Sequence, residues 1–162
     1  MRLRVIGVGQ RYRGDDEVGL IVAERVRALA PDVEVMTEST DAADLLNVLE
    51  GAEACVAIDA ARYGGAPGAI LRIDADEVAA MRGAATSSHG NALAEAVALG
   101  SALGALPSRF RVVAVVGSNF RLGDPMSAAV QSRIPDAVAA VLDEVSAAAN
   151  RGVGGPNPLR RS

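Results

Sequence analysis

Short apolar runs rich in β-branched residues alternate along this chain with longer stretches of helical periodicity. The apolar runs are Leu3–Val8, Val33–Met36, Cys55–Ile58, Ala69–Ile73 and Phe110–Val116. Because parallel strands need helical crossovers, this alternation predicts an α/β fold, a three-layer α/β/α sandwich with helices on both faces of a largely parallel sheet. The interval between the third and fourth runs, "AARYGGAPG", is too short for such a crossover. The fourth strand is therefore expected to run antiparallel.

Four helical regions are predicted between and after these runs. They are Glu17–Leu29, closed by Pro31; about Asp41–Glu50; a region after "SSHG" with Leu93, Ala96, Val97 and Leu103 on one face; and a region from near Asp124, interrupted by Pro135, to about Ala149. With 162 residues, the chain is long enough for one domain, predicted to span 1–150. Arg151–Ser162 is rich in Gly, Pro and Arg and predicts a disordered tail.

The composition argues against several classes of binding partner. The net charge is −4 and the arginines are scattered, so nucleic acid is not an expected partner. No apolar run approaches the ~18 residues of a membrane span, and no signal peptide is evident, so a cytoplasmic protein without a membrane partner is expected. The single cysteine, Cys55, lies in the apolar "ACVAI" and is interpreted as core packing rather than as a nucleophile.

The glycine-rich segment Gly7–Asp16, "GVGQRYRGDD", links the first strand to the first helix. It fits neither phosphate-binding pattern: Tyr12 takes the place of the third glycine of a dinucleotide loop, and Asp15 and Asp16 take the places of the Lys and hydroxyl of a P-loop. Two carboxylates would repel phosphate. Two alternatives remain, a helix N-cap alone or a cap combined with a role in binding a cation or handling a proton.

Three polar side chains are expected to converge at the carboxyl edge of the sheet, where open α/β sheets bind ligands. Asp16 follows the loop after the first strand, Asp59 ends the run "CVAID", and His89, the single histidine of the chain, begins the third helix. Two carboxylates and an imidazole suit a divalent transition metal with open coordination positions. Each residue also has a structural alternative, as a turn cap or a hydrogen-bonded histidine.

The same residues resemble the hydrogenase maturation endopeptidases, which process the large subunit of nickel–iron hydrogenases. The likeness rests on "GVGQRYRGDDEVGLIVAERV", on "AIDA" with "GGAPGAILRID", and on "SSHGNALAEAVALGSALGALPSRFRVVAV". It implies a mixed five-stranded sheet of order 2-1-3-5-4 with strand 4 antiparallel. It also implies that Asp16, Asp59 and His89 are the metal-contacting and catalytic residues.

The resemblance further implies the reaction and the partner. The chain is expected to be a metal-guided peptidase of aspartyl type, acting as a monomer on a hydrogenase large-subunit precursor and removing its C-terminal peptide. The nickel is supplied by the precursor, and another divalent metal is expected to replace it in vitro. Whether the metal acts as a Lewis acid or an aspartate acts as the base is left open.

The chain departs from the family pattern at several positions. Gln10 stands where the family has Asn, Glu17 where it has Gly, "TEST" at Thr37–Thr40 where it has "DGGT", and "VGSNF" after the last strand where it has "GI-x-P". Two alternative functions follow from the altered loops. One is a non-catalytic relative that binds a metal or a precursor subunit, and the other is a small-molecule hydrolase on the same scaffold.

Overall fold

The fold is a five-stranded sheet between two layers of helices, seen in a computed structural model that describes residues 1–38, 41–62, 64–80 and 92–152. The strands are β1 (Leu3–Val8), β2 (Glu34–Glu38), β3 (Ala54–Ala61), β4 (Ile70–Asp74) and β5 (Arg109–Val116). The helices are α1 (Val18–Leu29), α2 (Ala42–Leu49), α3 (Ala75–Ala80), α4 (Ala92–Ala102), α5 (Ala128–Gln131) and α6 (Ile134–Gly152). A 3-10 turn, Gly14–Glu17, precedes α1.

The strand order is β2-β1-β3-β5-β4, and β4 runs antiparallel to β5 while the other pairs are parallel. This order and the reversed fourth strand confirm the predicted fold. Strands β1 and β3 are neighbours, and their pairing begins with Leu3 opposite Ala54 and ends with Gly7 opposite Ile58. Their carboxyl ends therefore meet at one edge of the sheet.

The alternation of side chains along the strands divides the core between the two faces. Ile6, Val8 and Cys55 pack with α2, α3 and α4, whereas Val5 and Val56 pack with α1 and α6. Helix α1 contributes Val18, Val22 and Val26, spaced one turn apart and fully buried. The core is thus aliphatic on both faces, as the near absence of aromatic residues requires.

Arg4 is a charged residue within this core, and its side chain ties β1 to two neighbouring segments. It is 7% exposed, and its guanidinium donates to a carboxylate oxygen of Glu34 at 2.8 Å and to the carbonyls of Val48 and, at 2.8 Å, Glu50. Since α2 ends at Leu49, these carbonyls lie at the helix terminus, where carbonyls lack intrahelical partners. The buried charge is therefore fully compensated.

Four details of the predicted elements are corrected or extended. The region around Asp124 is not helical. The first helix after β5 begins at Ala128, and its N-cap is Ser127, whose side chain accepts a hydrogen bond from the Val130 N–H. Pro135 lies in the first turn of α6, where its missing N–H is tolerated. Leu103 is 65% exposed rather than on the buried face of α4, which ends one residue earlier.

Helix α3 was not predicted. Helix α6 extends through Arg151 and Gly152, into the segment predicted as a tail, while 153–162 lie outside the described residues. Within the described part of the chain, no helix has the length and apolarity needed to cross a membrane.

Candidate active site

Asp16 lies in the 3-10 turn that immediately follows the β1 loop. Close backbone packing holds this turn over the end of β1. Gly9 has a φ of +153°, and a Cβ at this position would lie 2.0 Å from the Asp16 carbonyl oxygen. Only glycine permits this approach, so the glycine-rich character of the loop serves to position Asp16 rather than to bind phosphate.

The first turn of α1 lies directly on the ends of β1 and β3. A Cβ on Gly19 would approach the Val8 carbonyl oxygen to 2.2 Å and the Ile58 carbonyl oxygen to 2.5 Å. Because Asp59 follows Ile58, the contact brings the helix and its preceding turn next to that residue. The same glycine therefore fixes the relative position of Asp16 and Asp59.

Asp59 lies near the carboxyl end of β3, and its carboxylate interacts electrostatically with that of Asp16. Burial and the negative charge of Asp16 raise the pKa of Asp59 well above its usual range, and the hydrogen bond from the Ala60 N–H at 2.8 Å opposes this only partly. Two of the three residues predicted for the site are thus brought together. A pair of carboxylates in a poorly solvated position favours a cation or a shared proton.

His89 lies outside the described residues, so its distance from the two carboxylates is not defined. Among the residues that the structure does describe, no three His, Cys, Asp or Glu side chains are grouped as metal ligands. The assignment of Asp16, Asp59 and His89 as one metal site therefore stays a prediction.

Asp15 does not cap the helix, which corrects the N-cap expected from the carboxylates of Asp15 and Asp16. Neither the 3-10 turn nor α1 has a side-chain cap. Instead, Asp15 is fully buried, and its carboxylate accepts hydrogen bonds from the N–H groups of Ser118 (2.8 Å), Asn119 (3.1 Å) and Ser127 (2.7 Å) and from the Ser127 hydroxyl (3.0 Å). Burial raises the pKa of Asp15, but these hydrogen bonds together outweigh it and hold the pKa below its usual value.

The segment that Asp15 binds, the loop after β5, was not identified from the sequence as a neighbour of Asp15. Backbone hydrogen bonds join it to the β1 loop: Asp15 N–H donates to Asn119 O at 2.7 Å, and Gly14 N–H donates to Asp124 O at 3.1 Å. A Cβ on Gly117 would lie 2.7 Å from the Asp15 Cβ. The two loops therefore form one rigid wall beside Asp16.

Two further residues at this edge have features that the sequence did not reveal. The Gln10 Oε1 is buried and has no hydrogen-bond partner among the described residues. Arg62, directly after β3, has its guanidinium 4.1 Å from the centre of the Phe120 ring, a cation–π contact. No local pattern signals either feature, because each depends on a segment distant in sequence.

The divergent segment Thr37–Thr40 begins beside the site. Thr37 and Glu38 end β2 and pair with Gly7 and Val8 at the end of β1. Ser39 and Thr40 lie outside the described residues. The altered segment thus starts at the edge that holds Asp16, where a change in sequence is able to affect the substrate.

Cys55 lies near the start of β3, at the opposite end of the strand from Ala61. It is 1% exposed among apolar neighbours, and burial raises the pKa of its thiol to about 12. A neutral, inaccessible thiol is a poor nucleophile. Its environment is that of a packing residue, as predicted.

Comparison with known proteins identifies the family. The family model "Hydrogenase maturation protease" (HycI) matches residues 21–144, a span that includes Asp59 and His89 and begins after Asp16. A hydrogenase expression/formation protein HupD from Rhodobacter capsulatus is 29% identical over 90% of this chain and 72% of its own length. Another HupD, from Thiocapsa roseopersicina, is 28% identical over 68% of this chain and 52% of its own length.

Solved structures agree in fold. The hydrogenase maturating endopeptidase HybD from E. coli is 25% identical, with a TM-score of 0.82 over 91% of this chain and 94% of that one. The maturation protease HycI from Thermococcus kodakarensis, at 22% identity and a TM-score of 0.67, covers 90% of this chain and 92% of its own and supports the fold alone. Since the family model matches more than half of the chain, this protein belongs to the hydrogenase maturation protease family, a family of peptidases.

Proposed function

We propose that this protein is an endopeptidase that removes the C-terminal peptide of a nickel-loaded hydrogenase large-subunit precursor, with Asp16, Asp59 and His89 binding the nickel that the precursor carries. The observation that carries this proposal is the juxtaposition of two mutually repelling carboxylates, Asp16 and Asp59, whose segments are packed together through Gly9 and Gly19 at the carboxyl edge of a sheet with this family's fold. Two carboxylates that repel one another are stabilised by a divalent cation. Nickel is thus treated as part of the substrate.

The donor set fits a borderline transition metal. Carboxylate oxygens from Asp16 and Asp59 and an imidazole nitrogen from His89 are ligands that nickel accepts. Three protein ligands leave coordination positions for groups of the precursor. This arrangement explains how a precursor that already carries the metal would be distinguished from one that does not.

Peptide hydrolysis also needs a group that handles a proton. A water molecule attacks the scissile carbonyl carbon, the C–N bond breaks, and the proton taken from the water passes to the leaving amine. Asp16 and Asp59 are the acid–base groups that this chain places at the site. The nickel of the substrate is the alternative source of activation, as a Lewis acid on the carbonyl oxygen.

The direct test is incubation of the protein with a nickel-loaded large-subunit precursor, followed by mass spectrometry of the precursor C-terminus. We expect the loss of a single C-terminal peptide. A nickel-free precursor is the matched control and is expected to stay intact. An unchanged mass of the nickel-loaded precursor would refute the proposed peptidase activity.

The altered Thr37–Thr40 segment favours a second candidate function, that of a non-catalytic relative which binds the precursor without cutting it. Its first two residues pair with the end of β1, beside the site. Binding of the precursor at unchanged mass would support this alternative. A cytoplasmic, monomeric protein is expected in either case.

A further inference from the structure

Tyr12 combines a strained backbone conformation with a side chain that is largely exposed. Its φ is +60°, and it is the non-glycine residue with a positive φ among those the structure describes. A bulky side chain is disfavoured in this left-handed region, where glycine is unstrained. Yet Tyr12 is 76% exposed, so its side chain contributes little packing to offset the strain. An exposed aromatic side chain at a position where glycine would be unstrained suits a contact with a partner.

Leu122, a second exposed apolar residue, lies beside Tyr12 on the neighbouring loop. It is 66% exposed, and the following residue, Gly123, donates its N–H to the Tyr12 carbonyl at 2.7 Å. We name the surface formed by 10–14 and 118–124 the docking platform. The hydrogen bonds between its two loops hold Tyr12 and Leu122 in place before any partner binds, which lowers the entropy lost on association.

The docking platform is cationic, although the chain has a net charge of −4. It contains Arg11, Arg13 and Arg121 against one acidic residue, Asp124, and Arg62 lies over the ring of its Phe120. Arg11 is neutralised by ion pairs with Glu residues of the 3-10 turn and α1. Arg13 and Arg121 form no ion pair with any residue in the described part of the chain. The Arg13 Nε is buried, whereas Arg121 is exposed and available to a partner. A partner with carboxylates around an apolar patch would complement this surface.

The docking platform is continuous with the candidate active site. The Asp16 N–H donates to the Arg13 carbonyl at 3.1 Å, so the turn that holds Asp16 starts from the platform itself. A macromolecule seated on the platform would therefore have its adjoining segment beside Asp16 and Asp59. This geometry suits a large protein substrate with a scissile segment near its docking surface.

We propose that Tyr12 and Leu122 are the apolar anchors of a docking site for the folded body of the protein substrate, with Arg121 pairing with carboxylates around the contacted patch. This inference rests on the proposed function in taking the substrate to be a hydrogenase large-subunit precursor. It assigns affinity for the folded precursor to the docking platform and leaves bond cleavage to the carboxylate site. Tyrosine and arginine are the residue types most often dominant in protein interfaces.

The test compares wild-type protein with Tyr12→Gly and Leu122→Ser. Each variant is expected to raise the KM for the nickel-loaded precursor about tenfold or more, with kcat within about twofold of wild type. The Tyr12→Gly variant is expected to keep its thermal midpoint within about 3 °C of wild type, because glycine relieves the strained φ. Tyr12→Asn is a second variant, since asparagine is polar and tolerates a positive φ. Unlike glycine, asparagine does not increase the conformational entropy of the unfolded chain.

Matched controls lie on the remote end of α1. The exposed fraction of Leu29, 64%, is similar to that of Leu122, 66%. Leu29→Ser is expected to leave KM unchanged. Arg121→Glu is expected to raise KM and weaken its dependence on salt concentration, whereas Arg25→Glu, on the exposed side of α1, is expected to change neither.

Direct binding separates this inference from the proposed function. The precursor, immobilised through its N-terminus, is probed with each variant by biolayer interferometry, while cleavage is followed by mass spectrometry. Binding by wild type without cleavage, together with weaker binding by Tyr12→Gly and Leu122→Ser, would overturn the peptidase proposal and support the docking site. Wild-type affinity in both folded variants, or no binding by wild type, would overturn the docking site.

Discussion

The buried carboxylate of Asp15 is expected to be a main determinant of stability at the carboxyl edge of the sheet. Four donors lie within 3.1 Å of it, the N–H groups of Ser118, Asn119 and Ser127 and the Ser127 hydroxyl. Asp15→Ala would leave these donors without their acceptor in a position that is fully buried. More than a hundred residues of sequence separate Asp15 from each of these partners, and Ser127 lies 112 residues after it. The substitution therefore disconnects two distant loops.

The magnitude follows from the cost of unsatisfied buried donors, about 1–3 kcal/mol each. The Ser127 hydroxyl is able to rotate toward another acceptor, and some N–H groups will gain water, so the total is smaller than the sum. We expect Asp15→Ala to lower the free energy of unfolding by about 3–5 kcal/mol. That is a large part of the roughly 5–15 kcal/mol typical of a domain. Asp15→Asn, which keeps one acceptor oxygen, is expected to lose about 1–3 kcal/mol.

Urea denaturation followed by far-ultraviolet circular dichroism measures this loss, since the chain has no Trp for fluorescence. Asp143→Ala is the matched control. The Asp143 side chain is 68% exposed and 3.1 Å from Arg72, an ion pair of a kind that contributes about 1 kcal/mol or less. If Asp15→Ala were no more destabilising than Asp143→Ala, the role given to the buried carboxylate would be wrong.

Four further predictions are independent of this one. His89→Ala is expected to abolish precursor processing and divalent-metal binding with an unchanged circular dichroism spectrum; processing at the normal rate would remove His89 from the site. Cys55→Ala is expected to retain activity, and because burial raises its pKa to about 12, the wild-type thiol is expected to react with iodoacetamide only after unfolding; fast labelling of the native protein would contradict this. The hydrogen bond from Arg4 holds the pKa of Glu34 below its usual value, so the stabilisation by the ionised pair is present at neutral pH and is lost as pH falls through the lowered folded-state pKa. Urea titrations of wild type and Glu34→Gln are expected to differ at neutral pH and to converge in acid; an equal difference at every pH would contradict this. Removal of 153–162 is expected to leave the thermal midpoint unchanged, because the segment has few apolar groups; a large decrease would show that it docks on the domain.

Much of the fold follows from local sequence patterns. The five apolar runs correspond to the five strands, and the short "AARYGGAPG" segment correctly predicts that β4 reverses direction. Parallel strands need a long connecting segment, and strands buried on both faces are continuous apolar runs. Both features can be identified from adjacent stretches of the sequence. The family resemblance added the strand order, which the runs themselves do not encode.

Some local details depended on competing choices that pattern alone does not decide. Leu103 fits the apolar face of a longer α4, but the chain turns after Ala102, Gly104 adopts a φ of +64°, and Leu106 packs against Gly100 instead. Helix was expected to begin near Asp124, yet the carbonyl of that residue accepts a hydrogen bond from the Gly14 N–H of the β1 loop. In both cases a tertiary contact outweighed local periodicity.

The sequence by itself placed Asp16 and Asp59 at the same edge of the sheet, because each follows or ends a strand in a parallel pair whose carboxyl ends coincide. The family resemblance selected Asp16 over Asp15, but only the tertiary structure gives the physical reason that separates the adjacent carboxylates. Asp15 points to the loop after β5 and Asp16 interacts with Asp59, and this division depends on which donors surround each side chain. Those donors come from a segment about a hundred residues away, beyond the reach of any local pattern. Carboxylates that are chemically identical in sequence thus acquire different roles through the loops that pack against them.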